Sequence, residues 1–438
     1  MSRTRVGALF AIFASIVLIV YATLTPAAAA AVGAAHWQFT TGATPLTDAC
    51  SNILLFVPFG AALVMNGVRA CTAATMGLVL SLAIELLQST GHPAGRYATF
   101  ADLSANSSGA ALGAVITTYR ARWMSPNARD AKRLTICWSG MVLAVVTLTA
   151  WLLSPMRRDQ RNGASPTVSM LGNAPGYPWF AGTVTRVVVS GVDILHRGTG
   201  PARVTAPIGA RDVVVQARGR DSRRAFVPLL YLHDARDTMA YMMVGQSGDD
   251  AIVRSPRRGD RMGLRMPQLV APGVFSSSAM LRVGVPDDSI ADLTVRELAA
   301  TVSSQRLSMR VIVASAISPQ LTVQQASLSS AVEMRLDFTP SLGWLMTQPV
   351  IGDDETSRTV GTIAWLFLLV APACYWSWRC GTYRRLVTSV VLGAISSAFV
   401  VTPILFDSAP LPVWQWGALL IVATFGIFCS RLTNSARS

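Results

Sequence analysis

The sequence predicts an α-helical polytopic membrane protein, with about eight transmembrane helices and one inserted all-β sandwich domain outside the cytoplasm. Three observations support this fold class. The 438 residues are 51% hydrophobic and only 14% charged, the apolar residues form long runs, and 18 of the 23 acidic residues lie between positions 156 and 358. A soluble protein of this length is less apolar. The chain therefore consists of two compositionally different parts.

Eight apolar segments approach the roughly 20 helical residues that cross the hydrocarbon core of a bilayer. They are residues 6–24, 53–65, 72–87, 107–118, 134–153, 360–376, 386–405 and 413–429. The second and fourth are short unless their polar starts, 48–52 and 102–106, belong to the helices, and we include them. The first could instead be a cleaved signal peptide, because Arg3 and Arg5 precede it and alanines 27–31 follow it. Its length favours a retained helix.

Basic residues predict the orientation, because positive charge concentrates in cytoplasmic loops. A cytoplasmic amino terminus places most basic flanking residues in the cytoplasm: Arg69, Arg120, Arg122, Arg129, Lys132, Arg133, Arg379, Arg384, Arg385, Arg431 and Arg437. The net charge of +14 is therefore a topology signal and does not indicate nucleic-acid binding. Five tryptophans near helix ends are expected to anchor at the interface: Trp365, Trp376, Trp378, Trp414 and Trp416. We expect a multi-pass protein of the bacterial cytoplasmic membrane with both termini in the cytoplasm.

The segment 156–358 reads as β structure, with runs at 184–190, 212–218, 240–245, 279–285, 309–315, 321–325 and 332–338 separated by turn-forming residues. Arg157, Arg158 and Arg161 at its start do not oppose export, since long domains cross largely regardless of charge. The predicted organisation is a four-helix unit at 1–118, a basic loop and fifth helix at 119–155, the sandwich at 156–358 and three helices at 359–438.

Cysteine usage argues against a disulfide framework, because all six cysteines lie in or beside apolar runs and the β segment has none. No Cys/His spacing indicates a metal site, and no cofactor is indicated. The expected partners are membrane lipids, with a cell-wall precursor or a glycan as a further ligand. The sequence does not determine the oligomeric state.

Seven polar residues gather at the predicted outer ends of helices two to four. This polar cluster comprises Asp48, Asn52, Glu85, Gln88, Arg96, Asp102 and Asn106. Asp48 and Asn52 are four residues apart, as are Asp102 and Asn106, so each pair shares one helical face. All seven are expected at one depth in the membrane.

Charged groups near hydrocarbon cost several kcal/mol unless they are paired, hydrogen-bonded or hydrated. Arg96 can pair with Glu85 or Asp102, and carboxylates at helix starts meet free N–H groups. A polar pocket at the outer leaflet follows, with Glu85, Arg96 and Asp102 as candidate catalytic residues. The candidate substrate-binding residues are Asp48, Asn52, Gln88 and Asn106.

At these residues the sequence resembles the VanZ family, which is named for a teicoplanin-resistance protein. The resemblance rests on the Asp48/Asn52 segment with FVPFG, on IELLQ with Glu85, on Arg96, and on the D-L-x-x-N-x-x-G-x-x-x-G run that begins at Asp102. It covers about residues 6–118. It implies a cell-envelope or glycopeptide-resistance context and defines no reaction.

The β segment more loosely resembles concanavalin-like or laminin-G-like sandwiches, through the stretch AYMMVGQSGDDAIVRS. The resemblance implies an outward-facing module of a type that often binds carbohydrate. Asp249 and Asp250 could be calcium ligands, but the preceding Gly248 favours a hairpin turn.

The polar cluster fits a structural role equally well, as an ion-paired plug that fixes helix packing. In the functional interpretation, Arg96 and the helix starts hold a phosphate or carboxylate, and Glu85 or Asp102 acts as general base. A cation site of Asp48, Glu85 and Asp102 is a weaker alternative. His92 in the same loop could titrate near neutral pH, although a lone loop histidine is usually just solvated.

Three functions compete. The first is binding or processing of a lipid-linked or peptidoglycan-related substrate at the outer-leaflet pocket. The second is a non-enzymatic adhesion or sensing module, in which the helices anchor a carbohydrate-binding sandwich. Transport is the weakest, because the polar groups do not continue across the membrane.

Overall fold

The computed structural model describes residues 3–25, 46–90, 96, 98–155, 166–170, 180–189, 191–193, 202–203, 211–218, 226–234, 237–265, 267–275, 294–303, 305–315, 327–347 and 354–435. Its long helices are α1 Arg3–Leu24, α2 Leu46–Met65, α3 Ala70–Ser89, α4 Phe100–Thr118, α6 Ala128–Leu153, α8 Glu355–Ser377, α9 Arg384–Phe406 and α10 Val413–Ser435. Two short helices, α5 Arg120–Met124 and α7 Gly343–Thr347, lie between them.

A helix is present at each of the eight predicted segments. The polar starts do belong to the helices, because α2 begins at Leu46 and α4 at Phe100. Among the described residues, six helices are long and apolar enough to cross a membrane: α2, α3, α6, α8, α9 and α10. The apolar part of α1, Leu9–Leu24, is shorter, and α4 is rich in small and polar residues. The chain is therefore a multi-pass membrane protein, and the count of eight crossings stays a prediction.

The closest helix contact joins α2 and α4, which run parallel with their backbones nearly touching. A Cβ atom added at Gly113 would lie 2.0 Å from the carbonyl oxygen of Val57, and one added at Gly109 would lie 2.2 Å from that of Ile53. Gly60 meets α4 in the same way. Glycine at these positions lets the two helices approach closely, as is common between membrane helices.

The β domain consists of strands β1 Pro166–Met170, β2 Thr183–Val189, β3 Val192–Asp193, β4 Ala202–Arg203, β5 Arg211–Arg218, β6 Phe226–Asp234, β7 Asp237–Ser247, β8 Asp250–Arg254, β9 Gln268–Ala271, β10 Thr294–Val302, β11 Arg306–Ser315 and β12 Ser327–Asp337. Within the described residues they form two six-stranded antiparallel sheets, ordered β4-β1-β6-β7-β8-β9 and β12-β11-β10-β5-β2-β3. Residues of both sheets share one hydrophobic core, as in a sandwich.

Five of the seven predicted strand runs coincide with strands, and two, 279–285 and 321–325, lie outside the described residues. The predicted hairpin is confirmed: β7 and β8 pair across a turn in which Gly248 has a φ of 58°. The pattern does not predict β6, which is buried along most of its length and so lacks alternation. Its Pro228 is accommodated where the pairing with β7 shifts register.

The β domain and one end of the helical bundle are packed together. Leu152 and Leu153 at the end of α6 are buried in the sandwich core, and so is Leu342 just before α7. The main-chain N–H of Ala409, between α9 and α10, donates to the carbonyl oxygen of Phe338 at a distance of 2.9 Å. We call this end of the bundle the domain end.

The opposite end carries the basic connections, and we call it the basic end. Trp376 at the end of α8 donates through Nε1 to the carbonyl oxygen of Trp123 in α5, 2.7 Å away. Trp376 is only 6% exposed, so the expectation that it anchors at a lipid interface is wrong. Its indole is used for packing because α5 folds back over the end of α8.

Gly113→Ala should destabilise the protein by about 1–3 kcal/mol, because the new methyl group overlaps the backbone of α2. Gly140→Ala in α6 is the matched control, since a Cβ there meets nothing within 4 Å. Thermal unfolding of both purified variants in detergent measures the difference. Equal melting temperatures would contradict the close packing of α2 and α4.

Accessibility tags placed near Arg96 and Asp249 should report one side of the membrane, and tags near Lys132 and Arg379 the other. The expectation follows from the two ends of the bundle and from the positive-inside rule. Labelling of intact cells against permeabilised cells provides the measurement. Exposure of the Arg96 and Lys132 tags on the same side would show that the number of crossings is wrong.

Candidate functional site

The polar cluster lies at the domain end, where α2 and α4 begin and α3 finishes. Asp48 and Asp102 occupy the first turns of α2 and α4. Thr99 caps α4, because its hydroxyl oxygen accepts a hydrogen bond of 2.9 Å from the main-chain N–H of Asp102. This threonine was not predicted as a site residue, although Thr99 followed three positions later by Asp102 is a recognisable capping signal.

Two hydrogen bonds join the three helices at this level. Asn52 donates from Nδ2 to Oδ1 of Asp102 at 2.6 Å, which links α2 to α4. Glu85, which is 1% exposed, accepts from the main-chain N–H of Thr99 at 2.9 Å through Oε2, which links α3 to α4. Asn52, Glu85, Thr99 and Asp102 therefore lie at one level of the bundle, and the predicted depth of the cluster in the membrane stays a prediction.

One helical turn further into the bundle, Asn106 is buried between α4 and α3. Its Nδ2 donates to the hydroxyl of Ser81 at 3.0 Å, and its Oδ1 is buried without a hydrogen-bond partner among the described residues. Ser81 lies one turn before Glu85 on α3, a spacing that could have indicated its place in the cluster. Gln88 donates from Nε2 to the carbonyl oxygen of Thr23 in α1, 3.0 Å away.

Arg96 is placed differently from the prediction. Its guanidinium is exposed and donates to the carbonyl oxygens of Ala22 and Thr25, at 3.1 Å and 3.4 Å, at the end of α1. Within the described residues it forms no ion pair with Glu85 or Asp102. A cation at a helix carboxyl terminus is stabilised by the unsatisfied carbonyl groups there, and this contact competes with pairing to a carboxylate.

The cluster has more negative than positive charge. It holds the carboxylates of Asp48, Glu85 and Asp102 and the one guanidinium of Arg96. Asp48 interacts electrostatically with both Asp102 and Arg96, and Glu85 interacts with Asp102. The described residues bring no three carboxylate, imidazole or thiolate groups together as metal ligands. His92 lies outside the described residues.

Asp249 and Asp250 occupy the hairpin between β7 and β8, as the turn interpretation predicts. Oδ1 of Asp250 accepts from the main-chain N–H of Gly273 at 2.9 Å, and the carbonyl oxygen of Asp249 accepts from the N–H of Phe275 at 2.8 Å. These bonds fix the hairpin against the segment after β9. The carboxylate of Asp250 is therefore used within the domain.

The β domain touches the polar cluster directly at the start of α2. Thr47, next to Asp48, donates from both its main-chain N–H and its hydroxyl to the carbonyl oxygen of Gly263, each at 3.3 Å. Gly263 ends a 3-10 turn, Arg258–Met262, that follows β8. This contact could not be read from the sequence, because Thr47 and Gly263 are far apart in the chain.

Arg257, just before that turn, is a buried cation at the junction of the domain and the helices. It is 2% exposed, it stacks 3.7 Å from the ring centre of Phe338, and it donates to the carbonyl oxygen of Ser303 at 2.8 Å. Its charge is compensated by Asp260 and by Asp407, which adopts a left-handed conformation at the end of α9. The sequence suggested no role for Asp407.

Burial acts on both charges of this junction. Burial raises the pKa of Asp260 from 3.8 to about 7. The hydrogen bond from the main-chain N–H of Arg257 and the charge of that residue lower the same pKa, but by less. Burial lowers the pKa of Arg257 to about 9, although the negative charges of Asp260 and Asp407 raise it. In both cases burial penalises the charged form.

Fold and site together define a class of protein: a multi-pass helical membrane protein with a β domain and a polar cluster at the same end. Residues 8–121 match the VanZ/LLP1 family. The match spans about a quarter of the chain and includes the whole polar cluster. The unit α1–α4 is therefore VanZ-like, and this family is linked to glycopeptide resistance. No curated protein matches the chain, and no solved structure matches it.

Asp260→Asn should remove a pH-dependent part of the stability. In the wild type the unfolded carboxyl ionises near 3.8 while the folded one holds its proton to about 7. The stabilisation of Asp260 is therefore complete below pH 3.8 and is lost as the pH rises through 7, by at most about 4 kcal/mol. Unfolding of wild type and variant between pH 4 and pH 8 measures this difference.

Glu333→Gln is the control with the opposite sign. The hydrogen bond from Arg335 lowers the pKa of Glu333, so its small contribution is complete above pH 4.5 and is lost as the pH falls through the lower folded pKa. A wild-type advantage over Asp260→Asn that grows with pH would contradict the assigned environment of Asp260.

Proposed function

We propose that this protein binds or processes a lipid-linked or peptidoglycan-related substrate at the polar cluster, which forms an outer-leaflet site. One observation carries the proposal: seven polar groups from α2, α3, α4 and the connection between α3 and α4 lie at the end of the bundle that also holds the β domain. Membrane helices rarely carry such groups without a structural or functional need. The family link to glycopeptide resistance supports an envelope substrate, and a teicoplanin-type resistance role is part of the proposal.

The proposed location is the bacterial cytoplasmic membrane, with the domain end outside and both termini in the cytoplasm. The distribution of charge supports this orientation. Arg379, Arg384 and Arg431 lie at the basic end, where anionic lipids attract positive charge. An outward domain end would give the cluster access to lipid-linked precursors at the outer leaflet.

The chemistry available to the cluster includes proton transfer. Among the described residues, Glu85 and Asp102 each accept one hydrogen bond, and each carboxylate has a second oxygen that is not used in that bond. Either could act as general base towards a bound hydroxyl or amine. Asn52 and Thr99 would then position Asp102, since one holds its side chain and the other its backbone.

A second function remains in competition, that of a non-enzymatic module in which the helices anchor a carbohydrate-binding or sensing sandwich. The two facing antiparallel sheets support it, because sandwich domains often bind sugars at cell surfaces. Leu152 and Leu153 of α6 are part of the sandwich core, which argues against a module that is merely tethered to the helices. The end of α6 and the sandwich therefore share one hydrophobic core.

Glu85→Gln, Arg96→Ala and Asp102→Asn, made separately, should each abolish the envelope phenotype and leave the amount of protein in the membrane unchanged. Asp130→Asn is the matched control. Asp130 occupies the same capping position at the basic end, where its N–H donates to Asn127, and it should leave the phenotype intact. Teicoplanin susceptibility and quantitative membrane immunoblots measure the two effects.

Loss of membrane abundance in the three cluster variants would support the structural plug instead. A phenotype that survives all three substitutions, together with retained binding of the full chain to wall glycan, would support the adhesion module. Either result would overturn the proposed site.

A further inference from the structure

The donors of the polar cluster are already engaged within the protein. Asn52 donates to Asp102, Asn106 to Ser81, and Arg96 to carbonyl groups of α1. Gln88 likewise donates to the carbonyl oxygen of Thr23. Each of these side chains therefore uses part of its N–H groups within the protein, and the one guanidinium of the cluster is outnumbered by its three carboxylates.

Acceptors, in contrast, are in surplus. Glu85 and Asp102 each receive one hydrogen bond from the protein through a single oxygen, and Asp48 lies beside Asp102 at the exposed rim. Below them, Asn106 is 1% exposed and its Oδ1 has no partner among the described residues. Asn106 lies one turn after Asp102 on α4 and bonds Ser81, which lies one turn before Glu85 on α3, so it is one turn deeper in the bundle than the two carboxylates.

A buried acceptor without a donor costs free energy, and so does an uncompensated negative charge at a membrane end. A group that brings N–H donors together with positive charge removes both costs. In the part of the chain that the structure describes, no three groups approach as metal ligands, whereas an ammonium ion needs only one or two oxygens.

Resting on the proposed function, we infer that the group recognised by the polar cluster is a primary ammonium, and not the phosphate or carboxylate that the sequence suggests. Its recognition would use the carboxylates of Asp48, Glu85 and Asp102 and the amide oxygen of Asn106, which lies one turn deeper. Two sources share this chemistry at an outer leaflet. One is the headgroup of an aminolipid, and the other is a free amine on a cell-wall peptide.

The test uses the purified full chain in nanodiscs. Native mass spectrometry compares retention of phosphatidylethanolamine, of phosphatidylcholine, which has no N–H donor, and of anionic phosphatidylglycerol. Calorimetry compares a lysine-containing stem peptide with its N-acetylated form. We expect one primary amine to bind at least about tenfold more tightly than its blocked counterpart. The lipid arm and the peptide arm separate the two sources.

Asp102→Asn should reduce that preference about tenfold, because it removes the charge and keeps the shape. Asn106→Leu should also reduce the preference for the primary amine. If that variant does not fold, the result for Asp102→Asn alone tests the inference. Asp130→Asn should bind as the wild type does, since its carboxylate has the same capping position at the basic end.

Phosphatidylglycerol or inorganic phosphate that binds to wild type, and binds equally or better to Asp102→Asn, would overturn the ammonium inference and leave the proposed function standing. Binding of calcium or magnesium alone that Asp102→Asn abolishes would do the same. No selectivity for either amine, in a protein whose phenotype still requires Glu85 and Asp102, would also overturn this inference alone.

Discussion

A polar or charged side chain that leaves water must find a partner inside the protein, and this constraint shapes the end of the molecule where the two parts meet. The buried guanidinium of Arg257 is satisfied by an aromatic ring, a carbonyl group and the charges of Asp260 and Asp407. These partners come from the sandwich and from the connection between α9 and α10. The burial of one cation therefore fixes the β domain on the helices.

The same constraint organises the VanZ-like unit. Glu85 accepts from the capping residue of α4, and Asp102 accepts from α2, so each carboxylate also holds a helix start in place. The residues proposed to recognise a ligand are thus also residues that hold the helices together. A structural plug and a binding site are not exclusive descriptions of such a cluster, because the contacts that position the carboxylates leave part of each free for a ligand.

The direct contact between the domain and the cluster links the two parts structurally. Gly263 holds Thr47, whose neighbour Asp48 belongs to the cluster, and the turn that carries Gly263 begins beside Arg257. A displacement of the sandwich would reach the start of α2 through this turn.

The sequence by itself determined the helices, the compositional division of the chain, the polar cluster and about half of the described strands, because hydrophobic periodicity and scarce charges are local signals. Only the tertiary structure decided where the side chains found partners. Arg96 binds carbonyl groups of α1 rather than a carboxylate, and Arg257 is buried although nothing in its neighbourhood predicts it. The partner of such a side chain depends on which groups from distant parts of the chain are buried beside it. The spacing of residues along the chain does not determine this.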